Sequence, residues 1–421
     1  MSNLNILNVI RDDLCTSCGT CVALCPRNAI SMTVKEGIYL PSLDQKICNN
    51  CSMCYKVCPG HGLNYTKLNI ELFGKKPENI ISGNYLDCYV AYSQDNKVRF
   101  DSSSGGIVTE LLIFALKNDI IDGALVTKMR DENPLEPEPF VARTRKEIIE
   151  SSKSKYCPVP ANIALKEILN SGPSDKFAVV GLPCHIHGIR KAEKLNKDLK
   201  RKIVLHIGLW CSGTCNFHGT SFLLKKLGIT DVEVKKIHYR GNGWPGSLKI
   251  ITKDKNEIIM ALGKYYDSNF MSFISSRCRL CTDCNAELAD ISMGDYRGNY
   301  AYQKEKYGKT AIISRTQLAD NILKQMNRFQ EIDIKKTTFE DISSLQSYFY
   351  SKKKVEARFK IFKLFGKKIP EYNQELIKPS VSTYILDISI QISLYLASKN
   401  YLRVLIIYNK IINNIINRFI L

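Results

Sequence analysis

The chain has 421 residues, 44% of them hydrophobic, and a formal net charge of +19. This length and composition are ordinary for a globular protein of two or three domains. No stretch reaches the roughly 18 consecutive apolar residues that a membrane-spanning helix needs. The lysines are scattered along the chain, and no basic helix with interleaved aromatic residues stands out, so we do not expect nucleic-acid binding.

Half of the 16 cysteines fall near the N-terminus, in two runs with the same spacing. The runs are Cys15-x-x-Cys18-x-x-Cys21-x-x-x-Cys25-Pro26 and Cys48-x-x-Cys51-x-x-Cys54-x-x-x-Cys58-Pro59. This doubled spacing is typical of bacterial-type ferredoxins with two [4Fe–4S] clusters, in which the fourth cysteine of each run binds the other cluster. It predicts that one cluster is held by Cys15, Cys18, Cys21 and Cys58, and the second by Cys48, Cys51, Cys54 and Cys25.

Zinc and disulfides are the competing interpretations of these cysteines. Zinc sites use pairs of C-x-x-C and rarely add a third cysteine at the same step and a fourth before proline. Disulfides need an oxidising compartment, and residues 1–6 lack the basic and apolar segments of a signal peptide. We therefore expect iron–sulfur clusters in a cytoplasmic protein.

After the cysteine runs, glycines and prolines at 68–84 indicate a linker. Strands are predicted at 88–92, 123–127, 177–180 and 203–210, with a helix at 107–116 and a β-rich stretch at 235–263. This order predicts an α/β (α+β) fold with a small two-cluster ferredoxin domain, a mixed α/β core and a helical C-terminal tail. The predicted divisions are the ferredoxin domain 1–67, the linker 68–84, the N-terminal part of the core 85–170, its C-terminal part 171–337 and the basic tail 338–421.

A second group of cysteines lies in the predicted core and comprises Cys184, Cys211, Cys215, Cys278, Cys281 and Cys284. Cys184 and Cys211 each follow a predicted strand, where an α/β sheet presents residues to its ligand crevice. The other clustered cysteines, 278 to 284, form a tight loop suited to metal. Two thiolates of this loop with Cys184 and Cys211 would supply the four that a cubane needs. Buried structural thiols are the alternative, because cysteine often packs as a small apolar residue.

A further candidate site is the stretch Ser102-Ser103-Ser104-Gly105-Gly106, which precedes a predicted helix. Serines cap helix N–H groups, and glycines let the backbone approach an anion, so the stretch predicts a phosphate or flavin cradle. An ordinary helix cap is the alternative interpretation.

Several motifs in the core occur in a fixed order with suitable gaps. They are Ser103-Ser104-Gly105-Gly106, Val141-Ala142-Arg143-Thr144-Arg145, Ser154-Lys155-Tyr156, Gly181-Leu182-Pro183-Cys184, Tyr239-Arg240-Gly241-Asn242-Gly243-Trp244-Pro245-Gly246, Cys278-Arg279-Leu280-Cys281-Thr282-Asp283 and Ala289-Asp290-Ile291-Ser292-Met293-Gly294-Asp295. In combination they resemble the family of coenzyme F420 hydrogenase/dehydrogenase beta subunits over about 88–298. The fusion to a two-cluster ferredoxin is similar to the input subunits of F420H2 dehydrogenases.

The resemblance implies a flavoprotein with FAD, a [4Fe–4S] cluster of its own in the core, and coenzyme F420 as the substrate. It implies that this third cluster is held by Cys184, Cys211, Cys278 and Cys281. It also implies flavin-pocket roles for Ser103, Ser104, Gly105, Gly106, Ser154, Lys155, Tyr156 and Asp295. Cys215 and Cys284 depart from the family pattern, so either could replace one of the four ligands. No catalytic residue is assigned.

The function that the resemblance implies is an oxidoreductase that moves electrons between coenzyme F420, through FAD, and one-electron carriers or a partner subunit, through [4Fe–4S] clusters. Two alternatives stay open. One is a ferredoxin-linked flavin reductase, accessory to sugar or cell-envelope metabolism, that does not use F420. The other is a pure electron-transfer subunit without an active site of its own.

The tail is basic and contains a predicted amphipathic helix near its end. The apolar face of this helix comprises Val404, Leu405, Tyr408, Ile411, Ile412, Ile415, Ile416 and Phe419. It could make a peripheral contact with a membrane surface or pack on the protein itself, and we favour packing. The basic run from Lys352 to Lys368 is expected to be a solvated helix face or a docking site for an acidic partner.

Overall fold

The computed structural model describes residues 4–266, 270–298 and 306–398, with 401, 404, 406–409 and 412. The strands are β1 (Ile30–Lys35), β2 (Ile38–Leu43), β3 (Gly62–Leu63), β4 (Asp87–Ser93), β5 (Gly123–Met129), β6 (Pro137–Ala142), β7 (Phe177–Gly181), β8 (Ile203–Leu209), β9 (Val234–His238), β10 (Ser247–Thr252), β11 (Glu257–Ala261), β12 (Ile291–Asp295), β13 (Thr310–Ser314), β14 (Ile332–Thr337) and β15 (Glu371–Tyr372). The helices are α1 (Ile6–Arg11), α2 (Thr20–Ala23), α3 (Met53–Lys56), α4 (Tyr65–Phe73), α5 (Asn96–Asp101), α6 (Ile107–Lys117), α7 (Arg145–Glu150), α8 (Leu165–Leu169), α9 (Pro183–Glu193), α10 (Lys197–Lys202), α11 (Phe217–Lys226), α12 (Leu262–Tyr266), α13 (Ser276–Arg279), α14 (Gln317–Arg328), α15 (Phe339–Ser344), α16 (Tyr348–Lys353), α17 (Glu356–Leu364) and α18 (Val381–Ser398).

The N-terminal module consists of the antiparallel β1–β2 hairpin and the short helices around it. Each cysteine run wraps a loop that leads into α2 or α3. Both helices begin after a residue in the left-handed conformation, Gly19 with φ 84° and Ser52 with φ 59°. A Cβ on Gly19 would come within 2.8 Å of the Ile163 side chain, so glycine lets the first loop pack closely on the core. The predicted ferredoxin-like start of the chain is confirmed.

An eight-stranded mixed sheet lies at the centre of the core, in the order β14-β4-β13-β12-β8-β7-β5-β6. Strands β12, β8, β7 and β5 are parallel neighbours, so their carboxyl ends lie at one edge of the sheet. Strand β4 points the same way, because it is antiparallel to β13, which is antiparallel to β12. We call this edge the carboxyl edge; it is where α/β sheets present ligand-binding residues.

Helices cover both faces of the sheet. Leu111 of α6 and Ile322 of α14 share an apolar cluster with Ala178 of β7. On the other face, α8, α9 and α10 pack in the cluster that contains Phe177 and Val179. Neighbouring residues of β7 thus point to opposite faces, as the two-residue period of a strand requires. The mixed α/β fold is confirmed, with the predicted strands at 88–92, 123–127, 177–180 and 203–210 and the helix at 107–116 present within two residues at each end.

A smaller antiparallel sheet of three strands, in the order β11-β10-β9, confirms the β-rich stretch predicted at 235–263. It packs against α11, where Leu223 contributes to a cluster with Tyr239 and Leu248. The connection between β9 and β10 carries Arg240 to the carboxyl edge, where its side chain pairs with Asp295.

Two predicted segments differ from the structure. The linker predicted at 68–84 begins inside α4, where Leu68 and Asn69 are buried, and Asn84 is buried as well. The predicted tail is helical, but it also contains β15, which pairs in parallel with β3 of the N-terminal module. Both segments are packed against the rest of the fold. Their partners are distant in sequence, so a local sequence pattern could not predict the packing.

Part of the basic tail is not a solvated face. Lys352 and Lys353 are 4% and 3% exposed, so that interpretation is wrong for these two residues. Much of the predicted amphipathic face, namely Leu405, Ile411, Ile415, Ile416 and Phe419, lies outside the described residues, and the membrane-surface alternative stays a prediction. Within the described ranges, no helix combines the length and apolarity needed to cross a bilayer.

A buried charge cluster ties α9 to β8 and to the start of β12. The imidazole of His206 lies 2.8 Å from Asp290 and 2.7 Å from Glu193, and Arg190 lies within 3.3 Å of both carboxylates. Burial and the Arg190 charge act to lower the pKa of His206, but the two carboxylates outweigh them and raise it. When it is protonated, the imidazole completes a cluster of two cations and two anions, which holds α9 against the sheet.

Replacing His206 with Asn should destabilise the protein by about 3 kcal/mol near pH 6, because it leaves one cation for two buried carboxylates. The folded-state pKa of His206 is raised, so its stabilisation is fully present below the unfolded value of about 6.5 and is lost as pH rises through the folded value. We expect the loss in apparent thermal midpoint of the anaerobic holoprotein to be largest near pH 6 and to shrink at higher pH.

The control for this measurement is Asp198→Asn. It breaks an exposed pair with Arg201, whose side chains are 73% and 59% exposed, so it should cost less than about 1 kcal/mol. A His206→Asn effect that equals the control, or that does not change between pH 6 and 8, would contradict the role assigned to the cluster.

Candidate functional site

The four core cysteines that the resemblance implies as ligands line one cavity at the carboxyl edge. These residues are Cys184, Cys211, Cys278 and Cys281. Cys184 lies at the start of α9, just after β7, and Cys211 lies two residues after the end of β8. Because β7 and β8 are parallel neighbours, the residues that follow them emerge side by side. The other two cysteines reach the cavity from α13 and the turn after it.

Cys215 and Cys284, the two candidates for replacing a ligand, do not line this cavity. The thiol of Cys215 donates to the carbonyl of Phe270 at 3.5 Å and belongs to the apolar cluster beside the three-stranded sheet. Cys284 is 3% exposed and packs in a different cluster, which includes Cys88 and Phe339. The geometry therefore favours the ligand set without these two residues.

Burial controls the charge of the cavity thiols. It raises the pKa of Cys184 well above its ordinary value, and the nearby thiols Cys18 and Cys211 raise it further. Burial also raises the pKa of Cys211 to about 12, although the ammonium of Lys352 opposes this. Such thiols stay protonated unless a bound cation stabilises the thiolates. Four soft sulfur donors around one cavity therefore fit a [4Fe–4S] cluster, whose iron supplies that positive charge.

The N-terminal cysteines form two groups. One lines a separate cavity and comprises Cys25, Cys48, Cys51 and Cys54. The other comprises Cys15, Cys18, Cys21 and Cys58. Burial raises the pKa of Cys15 and of Cys21, and in both cases the thiols of Cys18 and Cys58 add to the rise. Each group therefore combines three cysteines of one run with the fourth cysteine of the other run, as the ferredoxin spacing predicts.

The two N-terminal groups differ in their surroundings. Cys15 lines the core cavity as well, so the first group adjoins the core thiols, whereas Cys51 of the second group is exposed. Among the described residues, no three His, Cys, Asp or Glu side chains converge tightly enough for a single metal ion. Clusters are therefore inferred from the arrangement of thiols around the two cavities.

The predicted flavin residues at 103–106 lie against the carboxyl edge beside β4. Ser103 Oγ accepts hydrogen bonds from the backbone N–H of Ser154 at 2.8 Å and from its hydroxyl at 3.0 Å. The structure therefore brings two of the predicted motifs together. The hydroxyl of Ser104 donates to the carbonyl of Lys309 at 2.6 Å and so fixes the loop to the segment before β13.

Both glycines of this loop have a structural requirement. A Cβ on Gly105 would come within 2.7 Å of the carbonyl oxygen of Ala91, so a larger residue would move the loop away from β4. Gly106 precedes α6 with φ 81°, which is in the left-handed region that favours glycine. The two glycines thus let the loop pack closely on β4 and turn into α6.

Arg240 joins two other predicted residues and is a site residue that the sequence analysis missed. Its Nη2 lies 2.7 Å from the Asp295 carboxylate, and its Nη1 donates to the hydroxyl of Tyr156 at 3.5 Å. The arginine is 5% exposed. Burial acts to lower the pKa of Arg240, but Asp295 and Tyr156 outweigh it, so the guanidinium stays charged. The motif that begins at Tyr239 was the available signal.

The ammonium of Lys155 binds backbone carbonyls of its own loop, whereas an anion-binding cation would be directed at a ligand. Its ammonium donates to the backbone carbonyls of Ser152 at 2.8 Å and Lys153 at 2.9 Å, and also to that of Ser151. Burial lowers the pKa of Lys155 to about 7. The side chain therefore stabilises the loop that presents Ser154.

Comparison with protein families gives three matches. Residues 14–62 match a 4Fe-4S dicluster domain. Residues 88–166 match the N-terminal part, and residues 174–339 the C-terminal part, of the coenzyme F420 hydrogenase/dehydrogenase beta subunit. The matches cover the N-terminal module and the core, and they stop before most of the tail.

The names of several similar curated proteins refer to coenzyme F420. The chain is 32% identical over 253 residues to the coenzyme F420 hydrogenase subunit beta of Methanothermobacter thermautotrophicus, which covers 58% of this chain and 83% of that protein. It is 27% identical over 295 residues to a subunit of the F(420)H(2) dehydrogenase of Methanosarcina mazei, covering 69% and 77%. It is also 27% identical over 348 residues to the coenzyme F420-dependent sulfite reductase of Methanocaldococcus jannaschii, covering 78% and 49%.

Among solved structures, the chain is similar to one from the F420-reducing [NiFe] hydrogenase complex of Methanosarcina barkeri. The TM-score is 0.56 and the identity 24%, and the match covers 72% of this chain and 99% of that one. At this level of identity the likeness shows the fold, which agrees with the mixed sheet described above.

The ligand set around the core cavity can be tested by Cys211→Ser. If three clusters are bound, iron should fall from about 12 to about 8 atoms per chain, because one of four thiolates is lost from one cluster only. The measurement is iron and sulfide analysis after anaerobic reconstitution.

Cys215→Ser and Cys284→Ser provide matched controls, because they make the same chemical change at buried thiols outside the cavity. Both should retain about 12 iron atoms per chain. Loss of iron from either control, with Cys211→Ser fully loaded, would reverse the assignment.

Proposed function

The chain belongs to the family of coenzyme F420 hydrogenase/dehydrogenase beta subunits, and from that membership we propose that it transfers electrons between coenzyme F420 and a one-electron partner. Its relatives named as hydrogenase, dehydrogenase and sulfite reductase proteins are all oxidoreductases. In this proposal the chain holds FAD at the carboxyl edge, one [4Fe–4S] cluster in the core cavity and two in the N-terminal module. The division into an N-terminal cluster module, a core whose two parts meet at 170 and a tail beyond 337 stays part of the proposal.

The observation that carries the proposal is the proximity of two kinds of site. The core thiols and the candidate flavin residues lie at the same carboxyl edge. Cys211 follows β8, and Asp295 ends β12, its parallel neighbour. Ser103 and Ser154 lie beside the end of β4 at that edge. A protein that only relays single electrons would have no need for the second group of residues.

The candidate flavin residues have the chemistry that FAD requires. FAD, when bound, exchanges electron pairs with one reactant and single electrons with another. The Ser103–Ser154 contact and the glycines after it would bind the ligand by hydroxyl and backbone N–H groups. The charged Arg240 keeps Tyr156 and Asp295 in place, and it supplies a buried positive charge beside an anionic cofactor.

The partner would dock at the second group of N-terminal thiols. Cys51 is exposed there, and Cys25 and Cys48 are partly exposed, whereas Cys21 and Cys58 are buried. Electron exchange between proteins needs such an accessible group. A similar structure comes from a hydrogenase complex, which supports the presence of a partner protein here as well.

The direct test mixes the purified, reconstituted protein with reduced F420 and a viologen dye in the absence of oxygen. We expect oxidation of F420 and reduction of the dye in a ratio of about two dye molecules per F420, since F420 donates an electron pair. No change in either absorbance would reject the use of F420. If flavin and clusters are present but F420 is not oxidised, the ferredoxin-linked reductase becomes the better assignment; if no flavin is present, the pure electron-transfer role does.

Cys51→Ser separates the two ends of the proposed path. It should lose one cluster but still oxidise about one equivalent of reduced F420 in a single turnover, because the core is intact. Its steady-state reduction of a ferredoxin acceptor should fall by roughly tenfold or more. Cys284→Ser is the control, and it should change neither rate.

Arg240→Met tests the flavin site. Removal of the guanidinium leaves the largely buried Asp295 carboxylate without its cation, which costs several kcal/mol and leaves an unpaired negative charge that repels an anionic ligand. We expect extractable flavin to fall by roughly tenfold or more, with iron unchanged at about 12 atoms per chain.

The control is Arg328→Met, an exposed position at the end of α14. Its flavin and iron contents should match those of the unmodified protein. Normal flavin content in Arg240→Met would show that the cofactor binds elsewhere.

A further inference from the structure

The tail, which extends beyond the family match at 339, reaches back to the core cavity. Lys352 Nζ donates to the carbonyl of Cys278 at 2.8 Å, and Arg358 Nη1 donates to that of Arg279 at 3.0 Å. The side chain of Gln374 donates to Thr282 in the same loop. Three positions of the tail thus contact the loop that carries two of the four core thiols.

Lys352 is a charged residue of the tail that lines the cavity. It lines the cavity together with Cys184, Cys211, Cys278 and Cys281. It is 4% exposed. Burial of an ammonium group is costly unless an opposite charge lies nearby. In the part of the chain that the structure describes, Lys352 forms no ion pair with a carboxylate; its hydrogen bond goes to the Cys278 carbonyl.

The neighbouring lysine shows how a buried ammonium group is ordinarily stabilised, by a carboxylate partner. Lys353 is 3% exposed and lies 3.2 Å from the carboxylate of Glu287, with a further hydrogen bond to Gln374. Among the described residues, the carboxylate that lines the cavity is that of Asp283, which is already engaged by His187 at 2.9 Å and by backbone N–H groups. It is therefore not the partner of Lys352.

The cavity also holds a second cation without a carboxylate partner among the described residues. Arg277 donates to the carbonyls of Leu14 and Gly60 and to the hydroxyl of Tyr372. Two buried cations, neither with a carboxylate partner among the described residues, therefore line the same cavity as the four core cysteines. A [4Fe–4S] cluster with four thiolates carries a net negative charge, and it would supply the missing balance at this place.

We propose that Lys352 is the counter-charge of the core cluster and sets its reduction potential, so that the tail is part of the redox site. The inference rests on the core cluster of the proposed function. A nearby cation stabilises the reduced cluster, which has one more negative charge, more than the oxidised one. Lys352 therefore raises the potential, and it acts as a positioning and tuning residue that is not a ligand.

The test uses the full reconstituted protein and a redox titration followed by EPR spectroscopy. The signal of the core cluster is identified first as the one that Cys211→Ser lacks. Lys352→Met should then lower the midpoint potential of that signal by about 60 mV or more, which is a tenfold change in the equilibrium constant for one electron. The signals of the two N-terminal clusters should shift less.

Three variants make the result specific. Lys352→Gln keeps a hydrogen-bond donor but removes the charge, and it should shift the potential in the same direction as Lys352→Met. Lys352→Arg keeps the charge and should stay near the original value. Lys363→Met makes the same charge change at an exposed position on α17 and should leave all three potentials unchanged.

An unchanged midpoint in either fully loaded neutral variant would overturn the proposal. If both neutral variants lose about four iron atoms while Lys352→Arg keeps them, the charge is needed to retain the cluster, which supports it. If Lys352→Arg loses them too, the shape of the lysine matters and its charge does not, so the proposal fails. An unmodified protein that binds only about eight iron atoms would instead refute the core cluster of the proposed function.

Discussion

The close packing of one loop against two neighbouring strands is the constraint on which the core site depends. Strands β7 and β8 pair at Gly181 and Gly208. A Cβ on Gly208 would come within 2.3 Å of the Cβ of Ala286, so the loop that follows Cys281 can lie this close only because glycine has no side chain. The parallel register brings the two strand-end cysteines together, and the close approach of the loop adds the other two. Neither pair alone could hold a cubane.

The cysteine arrangement was predictable from sequence to the extent that it is local. Cysteines separated by two residues lie on the same loop, so the spacing at 15–25 and 48–58 is enough to predict how the loop binds a cluster. The strand ends at Cys184 and Cys211 were predictable because short apolar runs bounded by turn signals indicate buried strands. The choice between Cys281 and Cys284 was not, because it depends on which thiol the turn directs into the cavity and which into the apolar cluster with Cys88.

The role of the tail could not be predicted, because its contacts are long-range. Strand β15 pairs with a strand more than 300 residues earlier in the chain. Asp387 of α18 lies 2.8 Å from Arg279 and 3.3 Å from Arg358, so an acidic residue of the tail faces inward and pairs with two buried arginines. The lysines at 352 and 353 form a basic run by composition, yet both are buried. A local stretch of sequence shows that the residues are positively charged, but it does not show which distant loop they contact.

The two candidate sites are neighbours, and Trp210 is the residue between them. It directly precedes Cys211, and its indole packs on Gly294, which directly precedes Asp295. A Cβ on Gly294 would lie 2.2 Å from the Trp210 ring, so the Gly-Asp motif is required for this contact. The indole also packs on Phe349 of the tail, edge to face. Trp210 therefore connects the residues proposed for the flavin with those proposed for the core cluster, and its contact with Phe349 joins the tail to both. The pair of sites and the segment beyond the family match thus form a single structural unit.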